Sequence, residues 1–252
     1  NLEKEVKRCE IGRADYIHLD VMDGQFVPNK TFDHVKVRDL RSLTLIPFDT
    51  HLMINEPVKH VHEYIDAGSD IVTVHAEVCD ESSFGEICDI LQSNQIGIGL
   101  AINPDTELPQ WSYKFVPLLD QVIIMSVVPG KSGQKFIEST HEKTQLISRD
   151  LKQHNFEGYI EADGGVNLEN VGSCFEDGAR AFVGGSAIIG QSDVRLIIKE
   201  FRNNILESRR RSLIKKAHEI GGKELVNSWI DLHIVGKKKD SLVQIAKELG
   251  FQ

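Results

Sequence analysis

Short apolar strands, each followed by a helical stretch, recur along this chain at a spacing that suits a parallel sheet. Strand-like runs begin at residues 15, 47, 71, 96, 121, 159 and 181, at intervals of 22 to 38 residues. Each interval is long enough for one helix and two turns, the length of a βα unit. The runs are near-continuous (Ile71-Val72-Thr73-Val74; Val122-Ile123-Ile124-Met125), as expected of strands covered on both faces. Helices are expected at 1–13, 57–67, 83–93, 138–153 and 168–177, with a poorer one, broken by prolines, at 107–117. Seven strands leave two architectures. A closed (βα)8 TIM barrel needs eight; the chain opens on a helix, so the first strand would precede residue 1. An open doubly wound sheet would carry a glycine-rich dinucleotide loop after its first strand, and this sequence has none there.

The 252 residues are 40% hydrophobic, enough for a sizeable core, yet no run approaches the roughly 18 apolar residues of a membrane span. No leader pattern marks the start. The four cysteines (Cys9, Cys79, Cys88, Cys174) lack paired spacing and read as reduced thiols of a cytoplasmic protein. A net charge of −9 argues against nucleic-acid binding. That charge is uneven. Residues 199–252 hold 12 Lys and Arg against 7 Asp and Glu, so this segment is +5 and the remainder −14. The division implied is a barrel over 1–198 and a basic, mainly helical extension over 199–252. Within the extension a long helix is expected at 194–217, a break at Gly221-Gly222, and shorter helices at 224–235 and 241–249 around Lys237-Lys238-Lys239.

In parallel βα folds chemistry collects at the C-terminal ends of the strands. The first visible strand carries His18 and Asp20, two residues apart and therefore on one face. The second carries His51, the third His75-Ala76-Glu77, and the sixth ends at Asp163-Gly164-Gly165. One His-x-Asp is usually a hydrogen-bonded structural pair. Four groups at matching ends, His18, Asp20, His51 and Asp163, form a mixed nitrogen and oxygen shell suited to one divalent ion: Zn²⁺, Fe²⁺, Mn²⁺ or Co²⁺. All three methionines, Met22, Met53 and Met125, also lie at these ends. Each alone reads as core filler; together they would form an apolar wall beside the metal site.

Two glycine turns, Gly164-Gly165 and Gly184-Gly185-Ser186, follow the last two strands. Loops at those positions bind phosphate in many barrels, through backbone N–H groups and a helix N-terminus. A third loop, Pro129-Gly130-Lys131-Ser132-Gly133-Gln134, reads as a mobile lid hinged on Gly130 and Gly133.

These motifs, His18-Leu-Asp-Val-Met-Asp-Gly-Gln-Phe-Val-Pro-Asn29, His51-Leu-Met53, His75-x-Glu77, Asn103-Pro104, Met125-Ser-Val-x-Pro-Gly130, Gly133-Gln-x-Phe136, Asp163-Gly-Gly165 and Gly185-Ser186, resemble in order and spacing those of the ribulose-phosphate 3-epimerases. The resemblance runs from residue 1 to about residue 189. It implies a TIM barrel of the ribulose-phosphate-binding type, acting in the cytoplasm on D-ribulose 5-phosphate and D-xylulose 5-phosphate, in a homo-oligomer. It places the metal ligands on His18, Asp20, His51 and Asp163, the acid/base pair on Asp20 and Asp163, and substrate or phosphate contacts on His51, Gly130, Gly133, Gly164, Gly165, Gly185 and Ser186.

The chain departs from the family's pattern in three places. The family's first strand, with its substrate-contacting serine, has no counterpart in the sequence; Lys131-Ser132 stand where an aromatic residue and a glycine are common; and the extension beyond about Lys199 is additional. The first strand is expected ahead of residue 1, in a longer chain; cover of the barrel's open side by a partner or by the segment 229–235 is the alternative. Related decarboxylase and aldolase barrels carry Asp-x-Lys-x-x-Asp on the key strand, whereas here His18 and Asp20 hold the first two positions. Two readings stay open beside the pentose phosphate epimerase: an epimerase for a six-carbon ketose phosphate such as allulose 6-phosphate, and a non-catalytic phosphosugar-binding barrel.

Overall fold

The computed structural model describes residues 2–221, with side chains through Lys215. Seven parallel strands, β1 (Ile17–Met22), β2 (Phe48–Met53), β3 (Ile71–His75), β4 (Gly97–Ile102), β5 (Gln121–Met125), β6 (Tyr159–Asp163) and β7 (Ala179–Val183), pair in sequence order. A doubly wound sheet reverses its strand order at a switch point. This order has no reversal, so every crossover turns the same way and the sheet curls. The curl brings β1 to β6: His18 Nδ1 lies 3.2 Å from Glu161 Oε1 although four strands separate them in the sheet. Among the described strands β1 and β7 each have one neighbour, so the architecture is a curled seven-stranded sheet of TIM-barrel type.

Helices α1 (Leu2–Gly12), α2 (His34–Arg41), α3 (Val61–Asp66), α4 (Glu81–Ser93), α5 (Ser139–Gln153), α6 (Val171–Asp177) and α7 (Val194–Gly221) accompany the strands. Alternate strand residues pack outward in one large core: Leu19 and Val21, Leu52, Val72 and Val74, Leu100 and Ile102, Val122 and Ile124, Ile160. The chain divides at Ile205/Leu206 into two units. The start of α7 belongs to the first, where Val194, Ile198 and Phe201 are buried and Ile198 and Val194 crowd Gly12 of α1.

The expected strands are all present, but several helices differ, for local reasons. Residues 57–67 yield a 3-10 turn, Pro57–Lys59, and only then α3. Residues 107–117 form two 3-10 turns, Gln110–Lys114 and Val116–Leu118, because Pro109 and Pro117 donate no backbone hydrogen bond. α6 starts late: Asn167 Oδ1 accepts from the N–H groups of Glu169 and Asn170 and holds a turn where helix was expected. The unexpected α2 is capped by Asp33, whose carboxylate accepts from the N–H groups of Val35 and Lys36. The expected break at Gly221-Gly222, the helices at 224–235 and 241–249, and the candidate cover at 229–235 fall wholly or partly outside the described residues. All four cysteines are free, and no described helix is long and apolar enough to cross a membrane.

The inner face corrects one expectation. It carries His18, Asp20, Asp49, His51, Thr73, His75, Gln121, Glu161 and Asp163, while Ala101, Ile123 and Met125 of β4 and β5, and Met22 and Met53 at the ends of β1 and β2, supply apolar surface. The strands are therefore covered on both faces, but by different chemistries.

Lys143 of α5 ties the loop after β4 to the barrel, donating to the carbonyls of Asn103, Pro104 (3.1 Å) and Thr106 (2.6 Å). Burial, opposed by nearby Glu77, Asp105 and Glu107, lowers its pKa to about 8. Between about pH 8 and the ordinary lysine value the unfolded chain thus holds a proton that the folded chain has lost, and this contribution to stability rises with pH. The free-energy difference between wild type and Lys143→Met should therefore grow in favour of wild type between about pH 7 and about pH 10. Urea unfolding of both proteins at the two pH values measures it; an unchanged difference would show that burial does not hold Lys143 below its ordinary range.

Candidate metal centre and active site

Parallel register assembles the site. β1 and β2 pair with His18 opposite Asp49, Asp20 opposite His51, and Met22 opposite Met53, while β5 and β6 pair Met125 with Asp163. Each rung of β1 and β2 thus sets an imidazole beside a carboxylate. The curl then brings Asp163 to the same point. His18 Nε2 is 3.4 Å from Asp20 Oδ1 and 3.7 Å from Asp163 Oδ2; His51 Nδ1 is 3.4 Å from each of those oxygens.

These atoms fit a cation better than they fit one another. His18 Nε2, Asp20 Oδ1 and His51 Nδ1 are buried without a hydrogen-bond partner. Leaving three such atoms unpaired is costly. Ligands of a tetrahedral ion bound at about 2.0–2.2 Å lie roughly 3.3–3.6 Å apart, and the four measured separations are 3.4 to 3.7 Å. Two nitrogens and two oxygens within 4.8 Å of one another suit a borderline divalent ion.

Behind the ligands stands a polar shell. His18 Nδ1 meets Asp49 Oδ2 at 2.7 Å, and Gln121 Nε2 donates to Asp49 Oδ1 and to Thr73 Oγ1, both at 2.7 Å. His51 turns its other nitrogen to His75 at 2.8 Å. Burial alone would lower both ligand imidazoles. Asp49 and Glu161 outweigh it at His18 and hold that pKa well above the ordinary value, while Asp163 and Asp20 raise His51 to about 9. Burial, reinforced by Asp49, pushes Glu161 up to about 8. Burial would also raise Asp20, but the imidazoles of His18 and His51, each 3.4 Å from its Oδ1, prevail and keep its carboxyl well below the usual range.

One pocket lies over the centre. It is lined by Asp20 and Asp163, by Met22, Met53 and Met125, by Gly130, Lys131 and Gly133 of the loop after β5, and by Gly164, Gly165, Gly185 and Ser186 of the turns after β6 and β7. Of the residues given metal, acid/base, substrate or wall roles from the sequence, only His18 and His51 do not line it; they sit beneath, with side chains 11% and 0% exposed. Of the four clustered side chains Asp20 is the most open to the pocket, at 44%. Gly164 and Gly165 have φ of 116° and 66°, and a Cβ on Gly165 would meet the Phe136 nitrogen at 2.5 Å, so the turn admits only glycine there. The loop after β5 is clasped by Gln134 Nε2, which donates to the carbonyls of Val128 (2.5 Å) and Lys131 (3.0 Å), and by Asn29 Nδ2, which donates to that of Gly130. Ser186 is the second residue of a π-helical turn, Gly185–Ile189, that the glycine pattern did not disclose.

Sequence reasoning assigned no role to Asp49, Gln121, Glu161 or Thr73. For Asp49, Thr73 and Glu161 a signal existed: each lies two residues before His51, His75 or Asp163, on the same face of its strand. Gln121 meets the site only through the curl.

A singly wound parallel βα sheet, with histidines and carboxylates gathered at the strand ends beneath glycine turns, defines an enzyme of the TIM-barrel class. Residues 1–189 match the sequence model of the ribulose-phosphate 3 epimerase family. The chain is 40% identical over 204 residues to a protein of Bacillus subtilis named ribulose-phosphate 3-epimerase, covering 81% of this chain and 93% of that protein. It is also 40% identical over 198 residues to the chloroplastic ribulose-5-phosphate-3-epimerase of Arabidopsis thaliana, covering 79% and 70%. Among solved structures, the 3-hexulose-6-phosphate synthase of Salmonella typhimurium superposes with a TM-score of 0.61 at 14% identity, covering 82% of this chain and 93% of that one, a likeness of fold alone. The chain belongs to the ribulose-phosphate 3-epimerase family.

Gly99 of β4 leaves room for the shell: a Cβ there would lie 1.9 Å from Thr73 Oγ1. Gly99→Ala should displace Thr73, disturb its bond to Gln121 and cost about 1–3 kcal/mol, the usual range for overpacking. Urea unfolding checks this, and wild-type stability would show that the inner face has slack.

Proposed function

We propose that this chain interconverts D-ribulose 5-phosphate and D-xylulose 5-phosphate by inverting C3, with Asp20 and Asp163 as the proton-transfer pair. The observation that carries this reading is that both carboxylates open into one pocket while sharing a centre with His18 and His51. Inverting a carbon next to a carbonyl needs a base on one face and an acid on the other. One carboxylate takes the C3 proton, the bonding electrons move onto the carbonyl oxygen to give an enediolate, and the other carboxylate returns a proton from the opposite side. Neither the substrate nor the backbone need turn over. His18, Asp20, His51 and Asp163 would hold one divalent ion, which when bound supplies Lewis-acid stabilisation of negative charge on oxygen. Ligation lowers a carboxylate's basicity, so each aspartate serves both roles best with different oxygens. Asp20 suits this: Oδ1 is buried among the ligands while its side chain as a whole is 44% exposed.

The remaining pocket residues fall into three groups in this reading. Gly164, Gly165, Gly185 and Ser186 offer backbone N–H groups to the phosphate. Met22, Met53 and Met125 form the apolar wall, and His51 completes the substrate's side of the centre. Gly130 and Gly133 frame the lid, and Lys131 is the one cation among the pocket's lining residues. All of these lie within the barrel segment 1–198. An epimerase for a six-carbon ketose phosphate is the alternative for the same site; relative kcat/KM on allulose 6-phosphate separates the two.

Asp20→Asn and Asp163→Asn should each lower kcat by at least about 100-fold, the usual contribution of a positioned acid or base, while circular dichroism and thermal unfolding stay near wild type. In D₂O, wild-type product should carry deuterium at C3. Near-wild-type turnover in either variant would end the two-carboxylate mechanism. Lys131→Ala should raise KM for the sugar phosphate by about 2- to 5-fold, up to the ~1 kcal/mol of an exposed ion pair, with kcat little changed; an unaltered KM would remove Lys131 from the phosphate's surroundings.

A further inference from the structure

The two ligand histidines are supported differently. His18 has a carboxylate directly at its outer nitrogen, Asp49 at 2.7 Å. His51 has none: its Nε2 faces His75 Nε2 at 2.8 Å. His75 in turn presents Nδ1 to Glu77 Oε2 at 3.0 Å, and Glu77 Oε1 accepts from the backbone N–H of Asn103 at 2.7 Å. The imidazoles of His51 and His75 are both fully buried, with planes only 18° apart as a hydrogen bond in the ring planes requires, and Phe26 lies 4.6 Å from the His75 ring.

We infer that Glu77 and His75 are positioning residues that fix His51 as a ligand, through a carboxylate–imidazole–imidazole relay. This rests on the metal reading above. The logic is one of donors and acceptors. A neutral imidazole has one N–H and one lone pair. To hold a cation, His51 must aim a lone pair from Nδ1, the atom that faces Asp20 and Asp163. Its proton then sits on Nε2 and is donated to His75, which must accept there and carry its own proton on Nδ1. That proton needs an acceptor, and an ionised carboxylate is acceptor-only. Glu77 thus sets the direction of the whole chain.

Without that bias the opposite arrangement competes. A proton on His51 Nδ1 would point at Asp20 and Asp163, whose charges favour it, and the nitrogen would be lost to the metal. Glu77 is itself held in place. Its partner Asn103 opens the loop whose carbonyls grip Lys143 of α5. The relay therefore runs from the helix layer to the centre of the barrel. Carboxylates bound directly to a ligand histidine contribute about 10- to 100-fold in metal affinity, and the relay should carry a comparable effect through one extra ring.

The test measures Zn²⁺ affinity of the full chain by competition with a chromophoric chelator, for wild type, Glu77→Gln and His75→Phe. Glu77→Gln leaves one acceptor oxygen for two donors; His75→Phe removes the acceptor at His51 Nε2. Both should bind Zn²⁺ about 10- to 100-fold more weakly, with metal-free thermal midpoints that do not account for the loss. In the Zn²⁺-loaded wild type, ¹⁵N shifts should report His51 protonated on Nε2 and His75 on Nδ1, a readout that needs no variant. Wild-type affinity in Glu77→Gln, or a proton on His75 Nε2, would overturn the relay and leave the metal reading standing. A wild-type chain that takes up no Zn²⁺ would overturn both.

Discussion

The register between the first two strands is the constraint on which the site depends. Pairing β1 with β2 so that His18 meets Asp49 and Asp20 meets His51 puts an imidazole and a carboxylate on each of two successive rungs. Side chains alternate along a strand, so a slip of one residue in either strand would turn its histidine and aspartate to the helix layer. The outward residues prevent that slip. Leu19, Val21, Phe48 and Leu52 are buried against the helices, and none could turn inward without displacing a site residue. The apolar core thus fixes the position of the polar one.

Charge inside the curl is expensive, and the structure distributes that cost. Asp49, His51, His75, Glu161 and Asp163 are all buried. Buried ionisable groups are tolerated when each finds partners. Most do here: Asp49 has His18 and Gln121, His75 has His51 and Glu77, and Gln121 also reaches Thr73. Three of the buried polar atoms left without a partner lie where a cation would sit. His18 Nε2, Asp20 Oδ1 and His51 Nδ1 face one another without partners, so the surrounding bonds hold the ligands apart rather than letting them collapse. Such preorganisation is what electrostatic catalysis requires.

Much of this was legible in the sequence, and the rest was not for definite reasons. His18, Asp20, His51 and Asp163 could be found because a strand's period of two and the rule of C-terminal ends need only local information. The glycine turns were legible for the same reason, and all of Gly164, Gly165, Gly185 and Ser186 line the pocket. Gln121 is different. Its contact with Asp49 spans β5 and β2, which are not neighbours in the sheet, so it exists only because the sheet curls. The polar character of the inner face was hidden as well, since Thr73 and Gln121 interrupt apolar runs too briefly to change their pattern. α2 escaped notice because only Val37 and Leu40 of its eight residues are buried, too weak a stripe to stand out beside its Asp33 cap. The prolines at 109 and 117 weakened the expected helix but did not reveal which tighter turns would replace it.

In the proposed reaction one divalent ion, held by two histidines and two aspartates, supports proton exchange at C3 of a ketopentose phosphate. Turnover of D-ribulose 5-phosphate, followed on the full chain before chelation, after complete chelation and after return of a single divalent ion, tests it most directly. The account predicts activity lost with the metal and restored when one ion per chain is bound. Undiminished turnover by protein shown to be free of metal would contradict it.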